Sequence, residues 1–516
     1  MKRWLASCIA LAFLAGAAHG EPDAGALFQS KCAPCHGGDR LGAIGPALLP
    51  DNLGRLGVAG AEQVIRNGRE ATQMRGFASE LDDASIKALA ALVYTKPMAK
   101  PVWGAAEIAA SRVLTPGPAV EKPVYAADPL NLFVVVESGD HHVSILDGDT
   151  FTPIYRFASR FALHGGPKFT RDGRYVFFGS RDGWVTKFDL WTLRVVAEIR
   201  AGINTRNIAL SKDAKHLAVA NYLPNTLVVL NAEDLSIEKI FDVADRKGRS
   251  SRVSAVYQAP QRDSFILALK DAPEIWEVAT DPNAEPVYEA FIHSQEKDMI
   301  EAIASSEGLF ARRRIEIAEP LDDFFFTDDY RFLIGASRDG ERGVVVNLNV
   351  GREVAELPLP GMPHLGSGIS WEKDGRRVMA TPHLKEAKLS IIDTEDWSVL
   401  KTIDTEGPCF FLRSHENTPY FWADVFFGPN KDAMHVIDKQ SLEIVKTLRP
   451  EPGATVAHVE FTRDGRYALV SVWEDDGAVI VYDAETLEEV RRLPMRKPSG
   501  KYNVWNKITF SEGTSH

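Results

Sequence analysis

The sequence predicts a mainly β protein in which an eight-bladed β-propeller follows a small all-α domain. Three observations carry that prediction. A strand-patterned block recurs eight times beyond residue 122, at intervals of roughly 41 to 49 residues. The segment before it is patterned for short amphipathic helices. Between the two lies a stretch rich in proline and alanine, KPMAKPVWGAAEIAASRVLTPGPAVEKPV, which reads as a linker with one short helix.

At the N-terminus, Lys2 and Arg3 precede the apolar run LASCIALAFLAGA, and AHG followed by EPD offers small residues for cleavage after Gly20. Residues 1–20 therefore read as a signal peptide, and the mature chain is expected in the periplasm. No later apolar run reaches the ~18 residues of a membrane span, so none is expected after cleavage. The chain of 516 residues is long enough for more than one core, and its formal charge of −12 argues against a nucleic-acid partner. Of four cysteines, Cys8 leaves with the leader and Cys409 stands alone as an apolar residue, so no disulfide framework is expected.

Residues 21–97 carry CAPCH at 32–36 and resemble a class I cytochrome c domain. CAPCH places Cys32 and Cys35 for covalent haem c attachment, and His36 for one axial position on its iron. Gly45-Pro46 follows where a loop supports that imidazole. Leu81-Asp82-Asp83 opens a helix with Ile86, Leu89, Ala90 and Val93 on one face. Met74, in TQMRGF, is the expected second axial ligand; Met98, among prolines beyond the helix, is its competitor. Thioether ligation suits electron transfer.

Residues 98–122 are the linker and 123–516 the propeller. Clear copies of the repeat begin at FTRDGRYVFFGSRDGWVTKFDLW and at LSKDAKHLAVANYL. FTDDYRFLIGASRDG, WEKDGRRVMATPHL and FTRDGRYALVSVWEDDG follow. Weaker ones start near Ala127, Gln258 and His415. One interval is longer, and its extra residues between about 283 and 320 are expected to make an excursion. NVWNKITF, near the C-terminus, alternates like a strand and is expected to close the ring against the first blade.

Three histidines occupy positions that the repeat does not require. His164 stands before the turn and strand of its blade, in FALHGGPKF. His458 stands at nearly the same place in ATVAHVEF, and His364 lies in the glycine-flanked LPGMPHLGSG. All three are expected to project toward one mouth of the channel. His141, His142, His216, His383, His415 and His435 sit in turns or strands and read as structural.

A CAPCH segment joined to a propeller carrying FALHGGPKFTRDGRYVFFGSRDGWVTKFDLW, TRNIALSK, GMPHLGSG and SGKYNVWN resembles the cytochrome cd1 family over nearly the whole mature chain. The resemblance implies that the propeller binds haem d1 without a covalent link. It makes His164 the proximal ligand of the haem d1 iron and His364 a distal group on that iron. It places Arg181 and Arg206 at the haem carboxylates, with Arg338 a weaker candidate. Guanidinium forks suit carboxylates. The resemblance favours a monomer.

The nitrite reductases of that family use two distal histidines. His364 matches one; at the other place this chain offers Glu319, Pro320 and Leu321. It gains His458, and Tyr502 where phenylalanine is usual. That pattern is similar to the relative that completes haem d1 biosynthesis by oxidising a propionate of dihydro-haem d1 to an acrylate. His458 and Tyr502 are then the catalytic pair, with the role of base open between them. Dihydro-haem d1 is the substrate, and electrons pass through haem c to a periplasmic acceptor. A nitrite reductase that receives the finished haem d1 is a further expected partner. Nitrite reduction, or haem d1 carriage without catalysis, is the alternative.

Overall fold

The computed structural model describes residues 22–510, apart from 44, 55, 70–73, 100, 116, 294–299 and 338–341. The expected leader at 1–20 and Arg338 lie outside the described residues.

In the N-terminal domain, the helix Asp83–Val93 starts because the Asp82 carboxylate accepts the Ser85 N–H at 2.8 Å. Its residues Ile86, Leu89, Ala90 and Val93 recur at helical spacing and are buried against Phe28, Ala61, Ile65 and Phe77. The helices Ala24–Lys31 and Ala33–His36 bring CAPCH to this core, and Gly57–Asn67 packs on its other side. Met74 packs half-buried against the same core, whereas Met98 is fully exposed.

Ahead of the first blade, the helix Ala105–Ala110 buries Ile108 in the propeller core. Val113–Leu114 follows it as a fifth strand on the sheet of the second blade. Eight four-stranded antiparallel blades follow, each built from β-branched and aromatic runs separated by tight turns. Blade two is Lys168–Phe169, Tyr175–Gly179, Trp184–Asp189 and Arg194–Arg200. Blade four takes Val253–Ala259, Ser264–Leu269 and Glu274–Ala279, then closes with Arg312–Glu316. The excursion between them is a hairpin of Val287–His293 with Ile300–Ser306, so the expected 283–320 excursion ends before the blade's outer strand.

The ring closes in blade one, where Pro498–Asn503 pairs with Leu132–Glu137. This corrects the expectation for NVWNKITF. That stretch is a helix, Val504–Thr509, capped by the Asn503 side chain, which accepts from the Asn506 N–H at 3.3 Å. Over six residues, the apolar spacing of Val504 and Ile508 satisfies a helical period as well as alternation, and the cap decides between them.

The innermost strands of most neighbouring blades touch one another around the axis. Side chains on those strands, and on the loops leading into them, therefore converge on the channel.

Candidate active site in the propeller channel

One mouth of the channel holds a cavity of about 670 Å³, within the range of ~300–1,000 Å³ that encloses small ligands. His164, Arg181, Arg206, His364, His458 and Tyr502 all line it. The sequence-predicted set, drawn from six separate loops and strands, is brought together.

His164 lies in the loop entering blade two, its N–H donating to the Gly179 carbonyl at 2.9 Å. Its Nδ1 faces the Arg206 carbonyl at 2.8 Å. A carbonyl only accepts, so Nδ1 carries the proton and Nε2 offers its lone pair to the cavity, the arrangement of a metal-ligating histidine. Two guanidinium nitrogens meet that lone pair, Arg181 Nη2 at 2.9 Å and Arg206 Nη1 at 3.2 Å. The glycines behind His164 serve the turn itself. Gly165 has φ +85°, and a Cβ there would lie 2.6 Å from Asn207 Cβ. Replacing Gly165 with alanine is expected to strain the loop by about 1–3 kcal/mol. Pigment binding, followed by absorbance titration, should weaken while the haem c spectrum is unchanged.

His364 precedes a short 3-10 turn, Leu365–Ser367. Its Nδ1 faces the Phe410 carbonyl at 2.9 Å, and its Nε2 lies 3.4 Å from Asp323 Oδ2. Asp323, on the first strand of blade five, also accepts from the Gly366 N–H at 2.8 Å and from the Tyr257 hydroxyl at 3.1 Å. This buried carboxylate was missed from the sequence; the doubled Asp322-Asp323 ahead of FFF was its only signal. At the place where a second distal histidine was sought, Glu319 is held by Arg342 and Leu321 is buried.

His458 sits at a β-bulge between Ala457 and Val459 with φ +52°; bulges re-aim side chains in this way. Its backbone is pinned from both sides. The N–H donates to Asp424 Oδ2 at 3.1 Å, and the carbonyl accepts from Lys501 Nζ. Asp424, which also accepts the Phe410 and Phe411 N–H groups at 2.9 Å, is pushed up to about 6 by burial. The His458 ring packs edge-on against Phe411 at 5.1 Å and Tyr502 at 5.4 Å between centroids. Among the described residues, nothing hydrogen-bonds its buried Nδ1.

Burial, then the charges of Lys501, Lys507 and Arg413, hold His458 well below the ordinary imidazole value. Burial, then Glu460, pushes the Tyr502 phenol up. At neutral pH the pair is thus a neutral imidazole and an intact phenol. Tyr502 has room because residue 500 is glycine: a Cβ there would lie 2.6 Å from the hydroxyl.

An aromatic wall, also missed, faces these groups. Phe410, Phe411, Phe426, Phe427 and Trp473 pack against one another around the His364 and His458 rings. The doublets at 410–411 and 426–427 carried the signal.

In the N-terminal domain, His36 Nδ1 faces the Pro46 carbonyl at 2.8 Å, which leaves Nε2 for an iron. Gly45 keeps the ring's place clear, since a Cβ at 45 would lie 2.9 Å from His36 Cε1. Cys32 and Cys35 are unpaired by disulfide and half-buried, so this donor set fits a covalently attached haem. Gly45→Ala is expected to displace the imidazole and shift the haem c absorption and potential, read by redox titration.

A haem-bearing electron-transfer domain, joined to a propeller whose channel presents an oriented imidazole and a neighbouring imidazole–phenol pair, defines a two-site redox protein. Residues 127–298 and 287–507 match the Cytochrome D1 heme domain family, and residues 21–93 match the family described as cytochrome c oxidase, cbb3-type, subunit III. The chain belongs to the cytochrome cd1 family. It is 54% identical over 513 residues to the dihydro-heme d1 dehydrogenase of Pseudomonas aeruginosa, covering 98% of this chain and 99% of that protein. A solved structure of dihydro-heme d1 dehydrogenase NirN in complex with DHE superposes with a TM-score of 0.86 at 54% identity, covering 94% of this chain and 99% of that one. The nitrite reductase of Stutzerimonas stutzeri is 24% identical, over 93% of this chain and 92% of that protein. Within its family the chain is an oxidoreductase of the dihydro-haem d1 dehydrogenase type.

Proposed function

We propose that the chain is a periplasmic enzyme that oxidises one propionate of dihydro-haem d1 to an acrylate, with electrons leaving through haem c. The observation that supports this reading is the pairing of His458 and Tyr502, one a neutral base and the other a neutral donor, on the wall of a cavity built around His164.

In this reading the substrate enters with its iron toward His164. Ligation requires Arg181 and Arg206 to leave Nε2. That frees two guanidiniums beside the metal for the substrate's carboxylates, where charge-assisted bonds are strong. The aromatic wall covers the macrocycle and excludes water. His364, held by the Phe410 carbonyl and Asp323, faces the metal's distal side.

The reaction breaks two C–H bonds, forms one C=C bond and releases two protons and two electrons. His458 accepts a proton from the side chain; a phenol whose value is pushed up stays protonated at neutral pH, so Tyr502 instead donates to the carboxylate and holds it. Haem c, when attached at Cys32 and Cys35 with His36 and Met74 on its iron, supplies one-electron acceptance. An external periplasmic protein takes the electrons onward, and a nitrite reductase is the expected recipient of the product.

Tyr502→Phe removes one positioned donor. Loss of such a donor typically costs about 10²–10³ in turnover. Pigment affinity should stay near that of the parent, because the His164 contact to iron and the arginine contacts remain. Full conversion by this variant would remove Tyr502 from the mechanism.

The pH profile follows from the sign of the His458 shift. Protonation would destroy the base, and burial among cations disfavours it. Turnover should therefore stay flat as pH falls through 6.5, the ordinary imidazole value, and decline only well below it. A half-maximal rate at 6.5 would contradict the assignment.

A further inference from the structure

A buried cation ties the cytochrome domain to the propeller, beside the Asn52 amide, which donates to the Ile203 carbonyl at 3.5 Å. Arg200 ends the outer strand of blade two and is only 4% exposed. Its guanidinium donates to the Leu41 carbonyl at 2.5 Å and the Gly42 carbonyl at 3.5 Å, both in the cytochrome domain. Its Nε donates to the Asp182 carbonyl at 2.9 Å within its own blade. From outside, the Trp103 ring covers the guanidinium at 4.6 Å, and the Trp103 indole N–H donates to the Arg200 carbonyl at 2.8 Å. A buried guanidinium is tolerated only when its donors are met; two of the three acceptors here belong to the other domain. An apolar patch of Ala47, Leu49, Ile203 and Leu223 seals the same contact.

Both ends of this bridge lead to iron ligands. On the cytochrome side, the Gly42 N–H donates to the His36 carbonyl at 2.9 Å. On the propeller side, Asp182 follows Arg181, whose guanidinium reaches His164 Nε2. Gly42 is fitted to the contact: it has φ +87°, and a Cβ there would lie 3.0 Å from Arg200 Nη2.

We propose that Arg200 is a latch, a positioning residue that seats the cytochrome domain on the His164 blade, and that this seat is the route by which electrons leave the substrate cavity. The docking half stands on geometry alone; the electron half rests on the function proposed above. Each dehydrogenation yields two electrons and two protons. The protons pass to His458 and solvent. Haem c, held by Cys32, Cys35 and His36, would supply one-electron acceptance, with a one-electron acceptor protein as the final oxidant for both electrons.

The test uses the full chain with haem c attached. Arg200→Met should speed proteolytic cleavage within residues 98–122 by on the order of tenfold, the worth of a charge-assisted hydrogen bond. It should also slow single-turnover reduction of haem c after mixing with dihydro-haem d1, with pigment affinity unchanged. Arg200→Lys, which keeps the charge and some donors, should recover part of both effects. Trp103→Leu, which leaves the blade's hydrogen-bonded strands intact, should act in the same direction and decides the matter if Arg200→Met fails to fold. Parent-like cleavage in both variants would overturn the latch. Faster cleavage with a parent-like rate of haem c reduction would overturn the electron half alone. So would a fall in pigment affinity that accounts for the slower reduction. Failure of the parent chain to reduce haem c would instead locate the fault in the function proposed above.

Discussion

Exchange of His458 for asparagine should lower turnover of dihydro-haem d1 by about 10²–10⁴, the usual worth of a positioned general base. Asparagine is the informative replacement. Position 458 has φ +52°, a conformation asparagine tolerates better than most residues. The backbone contacts to Asp424 and Lys501 are independent of the side chain. The imidazole Nδ1 has no hydrogen-bond partner to lose among the described residues. Stability should therefore change little, and the loss should fall on the rate. Pigment affinity, measured by absorbance titration, should be retained. A variant that converts substrate at the parent rate would transfer the base to another group.

His164→Ala should have the second large effect, on binding. The imidazole is oriented by the Arg206 carbonyl and screened by two guanidiniums. Removing it takes the iron's protein ligand away and leaves the Arg206 carbonyl without the imidazole N–H that it accepts. Loss of a mere orienting partner costs metal sites about 10–100-fold, and loss of the ligand itself should exceed that. The bound pigment's spectrum should shift, and free imidazole should restore part of it. Unaltered affinity together with an unaltered spectrum would show that His164 does not hold the iron.

Much of this was legible before any coordinates. The repeat's turn-and-strand grammar gives eight blades because each blade needs the same alternation to bury its two faces. His164, His364 and His458 were visible as polar residues that this grammar does not call for. Other features were hidden for physical reasons. The bulge that turns His458 inward depends on cross-strand register, which no local pattern records. The closing strand was placed five residues too late because a short apolar run fits two periods. Asp323 looked like an ordinary strand residue, and its role emerges only from His364, Gly366 and Tyr257 converging on it. Arg200 carried no motif at all, since its partners are backbone carbonyls, two of them in another domain. Arg181 and Arg206 were legible as candidates, but their resting place on the His164 imidazole follows from packing alone.

The most direct measurement is the mass of the pigment recovered after one turnover on the haem-c-loaded chain with an added one-electron oxidant. Dehydrogenation of the propionate predicts product lighter by two hydrogens, with two oxidant equivalents consumed per pigment. Pigment recovered at its starting mass, however tightly bound, would contradict the account.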